Sequence, residues 1–568
     1  MIRRLALRGF KRWRDTEFNL PDHVVLAGPN NTGKTTLLQA IAAWELGFRR
    51  WKELNNFNSR RNGFSWQELE RLNFSAVAVR SFELLWTDRQ RAQTFEIGLQ
   101  VDGLPMVTLE FRYHSAGSMQ VRPKADVAGA VLQDARLAFR PTFIPAMSGL
   151  ARAEARLADQ EAIDSALAQG RPGEVLRNLL FIAHQDDAGW RKLNATMERL
   201  FSCRLAPPRS GAELVCEYRQ GLADDAPLFD VASAGSGFLQ VLLLLTLLVT
   251  QSRGADGHLR VLLIDEPDAH LHLLLQRSIY SELRLLVAGN QAQLFVATHS
   301  EMIVNHVEAR ELYLMFGTPR LASEDLRRLA GEALGAVTHS ELLEAEGARG
   351  VLYTEDFTDV DLLKAFAQVL GDDVALQLLS RELVTKSSQA PLPEGLGQFT
   401  AQQHWAMLKL VRADLPALEL LDGDARNRAT ADIVTGDAER MQRLRWRRYE
   451  IESYLVHPAV LRRYVERRTG GGALAEAAVQ ALTDELTRVL QPAFVADPAN
   501  PVPLVEGFFR TEPVSKTLLP ALLQAAGLNN VPKREYFEIA SLFEPDEVHP
   551  EIVERLGQIK QAFGVAHV

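Results

Sequence analysis

Residues 28–35, which read GPNNTGKT, constrain this chain more than any other feature. They fit the pattern GxxxxGK[ST], in which glycines let the backbone approach phosphate and backbone N–H groups at a helix start bind it. The apolar run 23–27 precedes them, and the apolar-periodic run 36–42 follows them. Strand, glycine-rich loop and helix in this order are the context that the motif requires. The sequence therefore predicts an α/β domain that binds a nucleotide.

This loop supplies most of the residues expected to hold the nucleotide. Lys34 is expected to reach the β- and γ-phosphates, and the hydroxyl of Thr35 is expected to bind Mg²⁺. A chance glycine-rich turn is the alternative, and further motifs are needed to decide against it. The predicted ATP-binding residues of this region are Gly28, Asn30, Asn31, Thr32, Gly33, Lys34, Thr35 and Thr36.

Two later segments supply the remaining parts of an ATPase site. The apolar run 261–264 ends in Asp265 and Glu266. Asp265 is expected to bind Mg²⁺, and Glu266 is expected to act as the general base for the attacking water. A second apolar run, 294–298, is followed by His299, which can hydrogen-bond the γ-phosphate. We therefore predict Glu266 and His299 as catalytic residues.

A stretch of small residues lies between these motifs. Residues 233–237 read SAGSG and directly precede the apolar run 238–249. Small residues at a helix start form a further anion site, so we predict that Ser233, Gly235 and Gly237 bind ATP. In this order the four elements resemble the head of ABC-type ATPases, with 233–237 as its signature motif. The resemblance implies that this stretch faces the nucleotide of a second subunit, in a homodimer or higher even oligomer formed through the heads.

The opening of the chain narrows this resemblance. Residues 5–11, which read LALRGFK, and the GPN of 28–30 resemble the DNA-associated heads of the RecF and SMC type. Those heads carry a long insertion between the phosphate loop and the signature, and here it spans about 190 residues. Residues 74–112 alternate apolar and polar side chains, which predicts hairpins. Residues from about 145 to 210 predict a helical insertion.

Residue spacing, hydropathy and net charge argue against a zinc protein, a disulfide-rich secreted protein and a membrane protein. His270 and His272 form an i, i+2 pair, but no further Cys or His lies nearby to complete four zinc ligands. Cys203 and Cys216 cannot form a disulfide framework, and the chain starts without a secretory h-region, so a cytoplasmic protein is expected. The run 238–249 is too short to span a bilayer. A net charge of −9 argues against uniform coating by nucleic acid but permits a local basic groove.

The alternation of strands and helices starts again near residue 350. An apolar strand at 351–353, a helix at 361–370 and a strand at 418–421 indicate a second α/β domain. The turn-rich segment 386–398 predicts a flexible loop. The predicted domains are an ATPase head (1–345), a second α/β domain (346–470) and a C-terminal helical region (471–568).

Acidic side chains follow the strands of this second domain. Because the carboxyl ends of parallel strands meet at one edge of a sheet, we expect these carboxylates to converge. Carboxylate oxygens suit Mg²⁺ or Mn²⁺, and two such ions can hold the attacking and leaving oxygens of a phosphodiester. Ordinary solvated acidic loops are the alternative. The acidic residues concerned are Glu355, Asp359, Asp422, Asp424, Glu450 and Glu452.

The order of these acidic residues resembles that of a known family. A Glu after the first strand and a DxD motif after a later one are found in the TOPRIM domain of topoisomerases, primases and the overcoming-lysogenization-defect (OLD) nucleases. That family commonly has Gly after the first Glu, and here Asp356 stands in its place. The resemblance implies metal ligands at Glu355, Asp359, Asp422, Asp424 and Glu452. It implies catalytic roles for Glu355, Asp422, Asp424, Glu450, Glu452 and Lys533.

A basic run lies directly before the last acidic pair. Four arginines surround Trp446, and basic side chains with an aromatic residue suit a phosphate backbone. A solvated helix face is the alternative. The predicted DNA-binding residues are Arg443, Arg445, Arg447 and Arg448.

The whole pattern resembles the OLD family and the related Gabija-type defence nuclease. The resemblance implies an ATP-binding, Mg²⁺- or Mn²⁺-dependent DNA endonuclease, or nickase, in bacterial defence against phages. A rival hypothesis is a regulatory ATPase with a degenerate TOPRIM domain that controls a separate effector, as in Septu- and PARIS-type ATPases, and Asp356 favours it. A repair head of RecF type is a third hypothesis, which leaves the second domain without a role.

Overall fold

The computed structural model describes the 568-residue chain except for residues 55–63, 72–73, 75, 78, 145–149, 152, 158–159, 170, 222, 224, 251–258, 270, 289–291, 389–399, 425–440, 497, 499–502 and 566–568. The chain divides into two compact units, Met1–Gly335 and Ala336–Val568. The sequence predicts this boundary near residue 345. Within the described residues, no helix has both the length and the hydropathy needed to cross a membrane.

The first unit contains two six-stranded sheets. Its strands are β1 (Ile2–Phe10), β2 (Trp13–Asn19), β3 (His23–Ala27), β4 (Gln67–Glu70), β5 (Phe95–Val101), β6 (Val107–Tyr113), β7 (Ser118–Pro123), β8 (Arg140–Ile144), β9 (Cys203–Leu205), β10 (Arg209–Ser210), β11 (Leu214–Val215), β12 (Glu217–Gln220), β13 (Leu228–Asp230), β14 (Arg260–Asp265), β15 (Ala292–Thr298), β16 (Leu312–Leu314) and β17 (Arg320–Leu321). Its helices are α1 (Lys34–Leu54), α2 (Gln160–Ala168), α3 (Leu176–His184), α4 (Asp187–Phe201), α5 (Ser236–Thr250), α6 (Leu273–Ala288), α7 (Glu301–Val304) and α8 (Glu324–Ala336).

Helix α1 packs between these two sheets. One sheet is antiparallel, in the order β2-β1-β5-β6-β7-β4, and the other has the order β17-β16-β3-β15-β14-β8. In the second sheet only β17 runs antiparallel to its neighbour. All seven residues of β15 are buried, as expected for a strand covered on both faces. The helix and both sheets share one hydrophobic core.

The strand order fixes which loops become neighbours. Strand β15 lies between β3 and β14, with Thr298 opposite Ala27 and Ala297 opposite Asp265. All three strands run in the same direction, so their carboxyl ends meet at one edge. The phosphate loop, Asp265 and His299 are therefore brought together by strands that are far apart in the sequence.

The insertion is only partly helical, which corrects the prediction of helix from about 145 to 210. Helices α2 to α4 occupy its first part, but α4 ends at Phe201, where Ser202 takes a left-handed φ of 51°. Strand β9 follows at once and pairs with β12. Pro207 and Pro208 come next, and proline has no N–H with which to continue a helix. The hairpins predicted within 74–112 correspond to β5 and β6.

The second unit contains a four-stranded parallel sheet in the order β19-β18-β20-β21. Its strands are β18 (Gly350–Thr354), β19 (Leu383–Ser387), β20 (Ala417–Leu421) and β21 (Gln442–Arg445). Its helices are α9 (His339–Gly347), α10 (Thr358–Val369), α11 (Asp373–Gln377), α12 (Ala401–Leu408), α13 (Pro458–Thr469), α14 (Ala473–Ala496), α15 (Pro503–Thr511), α16 (Leu518–Ala525), α17 (Phe537–Ala540) and α18 (Pro550–Ala562).

Two strands of this sheet differ from the sequence-based expectation. Lys386 and Ser387, predicted to open a flexible loop, end strand β19, and residues 389–399 of that loop lie outside the described residues. The start of the basic run forms β21, in which Gln442 and Leu444 are fully buried. Both strands are short, β19 contains Lys386, and β21 has arginines at alternate positions, so their apolar pattern is weak.

The helices beyond residue 470 share a core with this sheet. One hydrophobic cluster joins Leu352 and Leu418 of the strands to Leu486, Leu522 and Ile559 of the helices. The sequence predicts a separate helical region at 471–568. In the structure these helices cover apolar surface of the same unit, because a parallel sheet must be covered on its faces.

Candidate nucleotide and acidic sites

The phosphate loop has the backbone shape that its sequence predicts. Strand β3 ends just before it and α1 begins at Lys34. Asn31 and Gly33 take left-handed φ values of 63° and 96°. A Cβ on Gly33 would lie 2.5 Å from Cζ2 of Trp13, so only glycine fits there. Successive N–H groups in such a turn form a concave site for an anion.

Lys34 is buried beneath this loop. Its ammonium donates to the carbonyl oxygens of Gly28 at 2.7 Å and Pro29 at 2.8 Å. Burial lowers the pKa of Lys34, and this is only partly offset by Glu266 and Asp265. The cavity above the loop has a volume of about 550 Å³. It is lined by Lys11, Arg12, Asn30, Asn31, Gly33, Lys34, Thr35, Thr36 and Glu266.

The side chains of Thr35 and Asp265 contact each other beside the phosphate loop. The Thr35 hydroxyl lies 3.0 Å and 2.9 Å from the two carboxylate oxygens of Asp265. Burial raises the pKa of Asp265 to about 6, and the Thr35 hydrogen bond opposes the rise. A hydroxyl and a buried carboxylate are hard oxygen donors that suit Mg²⁺. These residues therefore fit the ion that the sequence predicts there.

Glu266 and His299, the two residues predicted to be catalytic in this unit, contact each other at the edge of this site. Glu266 has a φ of 48°, which is strained for a residue with a side chain, and its N–H donates to Ala297 O at 2.8 Å. Nδ1 of His299 lies 3.5 Å from Oε1 of Glu266, a contact that raises the pKa of His299. The strained backbone and the imidazole together hold the Glu266 carboxylate beside the loop cavity, where it can accept a proton from water.

Several residues of this site were missed by the sequence reasoning. Asp268 is almost fully buried and accepts a hydrogen bond from Thr298 Oγ1 at 2.6 Å. Lys11 and Arg12 line the cavity, and Lys11 Nζ donates to Gln39 at 2.6 Å. For Lys11 and Arg12, the only sequence signal was that both residues are basic and lie in the turn between β1 and β2. Its approach to the phosphate loop is a tertiary contact.

The signature-like stretch lies at the exposed start of α5. Helix α5 begins at Ser236, and Ser233 and Gly235 are exposed. A Cβ on Gly235 would meet no atom within 4 Å. The stretch is thus available to another molecule, whereas α5 is buried from Leu239 to Val249. Of the two predicted non-ligand histidines, His270 lies outside the described residues and His272 is exposed.

The acidic residues of the second unit lie at the carboxyl edge of its sheet. The backbone N–H of Asp422, after β20, donates to Glu355 Oε2, after β18, at 3.2 Å. The N–H of Asp356 donates to Oδ2 of Asp359 at 3.1 Å. A Cβ on Gly423 would lie 2.1 Å from a backbone oxygen of a neighbouring loop, so the DxD turn requires glycine. The structure brings these segments together as predicted.

Burial and mutual repulsion perturb this cluster. The pKa of Asp422 is raised to about 9, first by burial and then by Glu355, Asp359 and other carboxylates. Burial and Glu452 raise the pKa of Asp359 to about 8, and the pKa of Glu450 to about 7. Burial and the neighbouring carboxylates therefore disfavour the ionised form of these three groups. A divalent cation would relieve this repulsion, so the donor set suits Mg²⁺ or Mn²⁺.

Lys533 already supplies one positive charge to the cluster. Its ammonium lies 2.8 Å from Oε1 of Glu452, which is fully buried, and 3.1 Å from Oδ2 of Asp356. Burial lowers the pKa of Lys533, but the surrounding carboxylates outweigh it and the net shift is upward. Asp356, which stands where the family commonly has glycine, is thus the partner of Lys533. Among the described residues, no three His, Cys, Asp or Glu side chains are arranged as a ready metal site.

The structure does not present the four predicted arginines as one DNA-binding surface. Arg448 is buried, donates to Glu506 at 3.0 Å and lies over the ring of Phe509. Arg443 pairs with Glu419 at 3.0 Å. Arg447 pairs with Glu554 at 2.7 Å, and Arg445 also has an interaction partner within the chain. Arg448 is therefore a structural residue, because its guanidinium compensates charge and packs inside the second unit.

Replacing Arg448 with alanine tests this correction. We expect the free energy of unfolding of the second unit to fall by about 2–3 kcal/mol, because Glu506 keeps only its longer contact with Arg510 and two aromatic rings lose a packed guanidinium. Urea denaturation followed by tryptophan fluorescence measures the change. Arg488→Ala, which removes an exposed arginine, is the control and should change the free energy by less than about 0.5 kcal/mol. A stable Arg448→Ala variant with weaker DNA binding would contradict the structural role.

Comparison with protein families agrees with the nucleotide site. Residues 137–305 match a family model described as "AAA domain, putative AbiEii toxin, Type IV TA system". The matched range contains Asp265, Glu266 and His299, and the phosphate loop at 28–35 precedes it. The first unit thus contains a P-loop ATPase domain of the AAA/ABC-like type, and the prediction of an ATPase is confirmed at this level.

Several solved structures are similar to part of the chain. An SMC head bound to the C-winged helix domain of ScpA is 15% identical, with a TM-score of 0.34, over 55% of this chain and 93% of its own. The SMC head domain from Thermotoga maritima is 16% identical, with a TM-score of 0.29, over 55% of this chain and 94% of its own. An SMC head with an extended coiled coil, bound to the C-terminal domain of ScpA and derived from Pyrococcus furiosus, is 14% identical, with a TM-score of 0.31, over 55% and 92%. No curated protein matches the chain.

Proposed function

We propose that this protein is an ATPase whose second unit cleaves one strand of DNA with the help of Mg²⁺ or Mn²⁺. The observation that carries the proposal is the hydrogen bond between the N–H of Asp422 and the carboxylate of Glu355. It joins two acidic segments, far apart in the sequence, at the carboxyl edge of a parallel sheet. Ligand and active sites in such sheets lie at this edge.

In this proposal the second unit supplies oxygen ligands and one cation. Glu355, Asp422 and Asp424 would hold a divalent ion, with Asp359 and Glu452 beside them. A bound ion polarises the phosphoryl oxygens and activates water. Lys533, at 2.8 Å from Glu452, places a further positive charge where negative charge develops on the phosphate. Glu450 is fixed from the other side by the N–H of Ser515.

The first unit would bind ATP between two copies of the chain. Lys34 and Thr35 would hold the β- and γ-phosphates and Mg²⁺, and Glu266 would accept the proton of the attacking water. The exposed stretch 233–237 of a second copy would complete the site. We infer that ATP controls the second unit, because a nuclease without control would damage the DNA of its own cell.

A role in defence against phages fits this arrangement. The description of the family model that matches residues 137–305 reads "AAA domain, putative AbiEii toxin, Type IV TA system". A toxin that cuts DNA must be held inactive until it is needed, and an ATP-dependent head provides such control. The protein is expected to act in the cytoplasm, where its DNA substrate is found.

A specific observation also favours a second function, that of a regulatory ATPase with an inactive second unit. Lys533 occupies part of the carboxylate cluster as an internal counter-ion for Asp356 and Glu452. In that case the second unit would bind a separate effector protein. Incubating supercoiled plasmid with the protein, Mg²⁺ or Mn²⁺ and ATP separates the two functions. Open-circular product supports the nickase, whereas ATP turnover without nicking supports the regulator.

Two exposed basic residues beside the acidic cluster suit a DNA backbone better than the buried Arg448. Lys516 follows Ser515, whose N–H donates to Glu450, and Arg534 follows Lys533. Both are exposed, and within the described part of the chain neither forms an ion pair. Their charges are therefore available to phosphate groups at the edge of the acidic cluster.

Replacing Lys516 or Arg534 with glutamine tests this surface. Each change should weaken binding to DNA of any sequence and reduce the slope of log K against log[salt] by about 1. Fluorescence anisotropy of a labelled duplex in EDTA, measured over a salt series, gives the slope without cleavage. Arg488→Gln, which changes an exposed side chain of α14 in the same unit, should leave the slope unchanged. Unaltered slopes for both Lys516→Gln and Arg534→Gln would exclude this surface.

A further inference from the structure

A buried ionic network lies within the insertion of the first unit. Glu154 accepts hydrogen bonds from the N–H groups of Arg177 at 3.0 Å and Asn178 at 3.2 Å, and from the side-chain amide of Asn178 at 3.2 Å. Its carboxylate also lies 3.7 Å from the Arg177 guanidinium. All three side chains are more than nine-tenths buried. Such a network permits one geometry, because loss of any partner leaves a buried charge unpaired.

The network extends to Asp230, which lies three residues before the signature-like stretch 233–237. Arg177 donates through Nη1 to Ala151 O at 2.8 Å and through Nη2 to Oδ1 of Asp230 at 3.1 Å. The same Asp230 oxygen accepts from the N–H of Ala232 at 2.7 Å, and Asp230 O accepts from the hydroxyl of Ser233 at 2.7 Å. Asp230 therefore connects a buried guanidinium to the turn that leads into 233–237.

The chain that leads into the stretch 233–237 is also held by the pairing of β13 with β12 and by the buried Val231, whose N–H donates to Cys216 O at 3.0 Å. Ser233 and Gly235 are exposed, and the space beside Gly235 is open. Its carboxyl end runs into α5, which is buried from Leu239 onward. Its orientation is thus determined by the buried helix at one end and, at the other, by β13, Val231 and the contact between Arg177 and Asp230.

We propose that Arg177 and Asp230 are positioning residues that orient 233–237 toward the ATP of a second copy of this chain, and that Glu154 fixes Arg177. This inference rests on the ATP-dependent dimer of the proposed function. In this proposal the insertion aligns the stretch 233–237 of one chain with the ATP bound by the other chain. The nucleotide cavity of the same chain, lined by residues of the phosphate loop and the β1–β2 turn, does not contain these residues.

The substitution Asp230→Ser removes the contact with Arg177 but keeps the hydrogen bond of the local turn to Ala232. Serine still accepts the Ala232 hydrogen bond, because it is a good capping residue, but it is too short and uncharged to pair with Arg177. In a Glu266→Gln background, which slows ATP hydrolysis, the Kd of the ATP-dependent dimer should rise about tenfold, as expected for one hydrogen bond between charged groups. Binding of a fluorescent ATP analogue to the dilute single chain should stay within about twofold. Sedimentation equilibrium and fluorescence titration measure the two quantities.

Two matched variants complete the test. Asp230→Glu keeps the charge and should restore the dimer Kd to within about threefold of the parent. Glu174→Ser breaks an exposed ion pair with Arg171 in the same insertion and should have no effect. An unchanged dimer Kd in Asp230→Ser, or an equal loss of ATP binding by the single chain, would overturn the positioning role. If the Glu266→Gln parent itself stays monomeric with ATP, the dimer of the proposed function fails instead.

Discussion

Replacing Asp422 and Asp424 together with alanine is expected to reduce metal-dependent nicking of supercoiled plasmid by about 10³-fold or more. The two carboxylates follow β20, and Asp422 lies against Glu355, so their removal takes away oxygen ligands on which a divalent ion would depend. Loss of about 4 kcal/mol of transition-state stabilisation corresponds to this factor. Agarose gel electrophoresis over a time course, with Mg²⁺ and with Mn²⁺, measures the rate.

The same variant should bind ATP with unchanged affinity, because Lys34 and Thr35 belong to the other unit. Asp414→Ala, which removes a largely exposed carboxylate from the second unit, is the matched control and should nick at the parent rate. Persistent cleavage by the double variant would show that the activity resides elsewhere. Absence of nicking by the parent protein, with normal ATP turnover, would favour the regulatory ATPase.

Replacing Glu266 with glutamine is expected to reduce ATP turnover by a factor on the order of 10²–10⁴, as for loss of a general base. Glutamine is similar in size and can still hydrogen-bond, but it cannot take the proton of the attacking water. ATP binding should persist, because the loop, Lys34 and the Thr35–Asp265 pair are unaltered. The ATP-dependent dimer proposed above should therefore accumulate with ATP and Mg²⁺.

Phosphate release and sedimentation measured on one preparation check both parts of this prediction. Glu308→Gln, which changes an exposed carboxylate of the same unit, should leave turnover and oligomeric state unaltered. Turnover by Glu266→Gln at more than about a tenth of the parent rate would contradict the role of Glu266 as base. Loss of ATP binding would point to a role in the fold, since Glu266 has a strained backbone at the end of β14.

The nucleotide site was largely predictable because its motifs are local. A loop flanked by a strand and a helix, and apolar strands that end in Asp265 and His299, each carry a recognisable pattern. Lys11 and Arg12 were not predictable in this way. Their approach to the loop depends on the packing of β1, β2 and β15, which no single segment encodes.

The second unit was predictable at its acidic positions but less so elsewhere. The strands before Glu355 and Asp422 are mostly apolar, as expected of buried parallel strands, and β20 contains one charged residue, Glu419. Strands β19 and β21 carry charged residues, so their apolar patterns are weak. They are stabilised by pairing with β18 and β20. The basic run before Glu450 appeared to suit DNA, yet Arg448 is buried because Glu506 and Phe509 come from α15, distant in sequence.

The sequence by itself determined the phosphate loop, the two acidic motifs and the division into two α/β parts, since these depend on local patterns of apolar, small and charged residues. Tertiary structure decided which charges meet. Lys533 reaches Asp356 and Glu452, and Arg177 reaches Asp230, only because the chain folds back over long separations. Burial then makes these pairings strong, because a charge removed from water must find a partner within the protein.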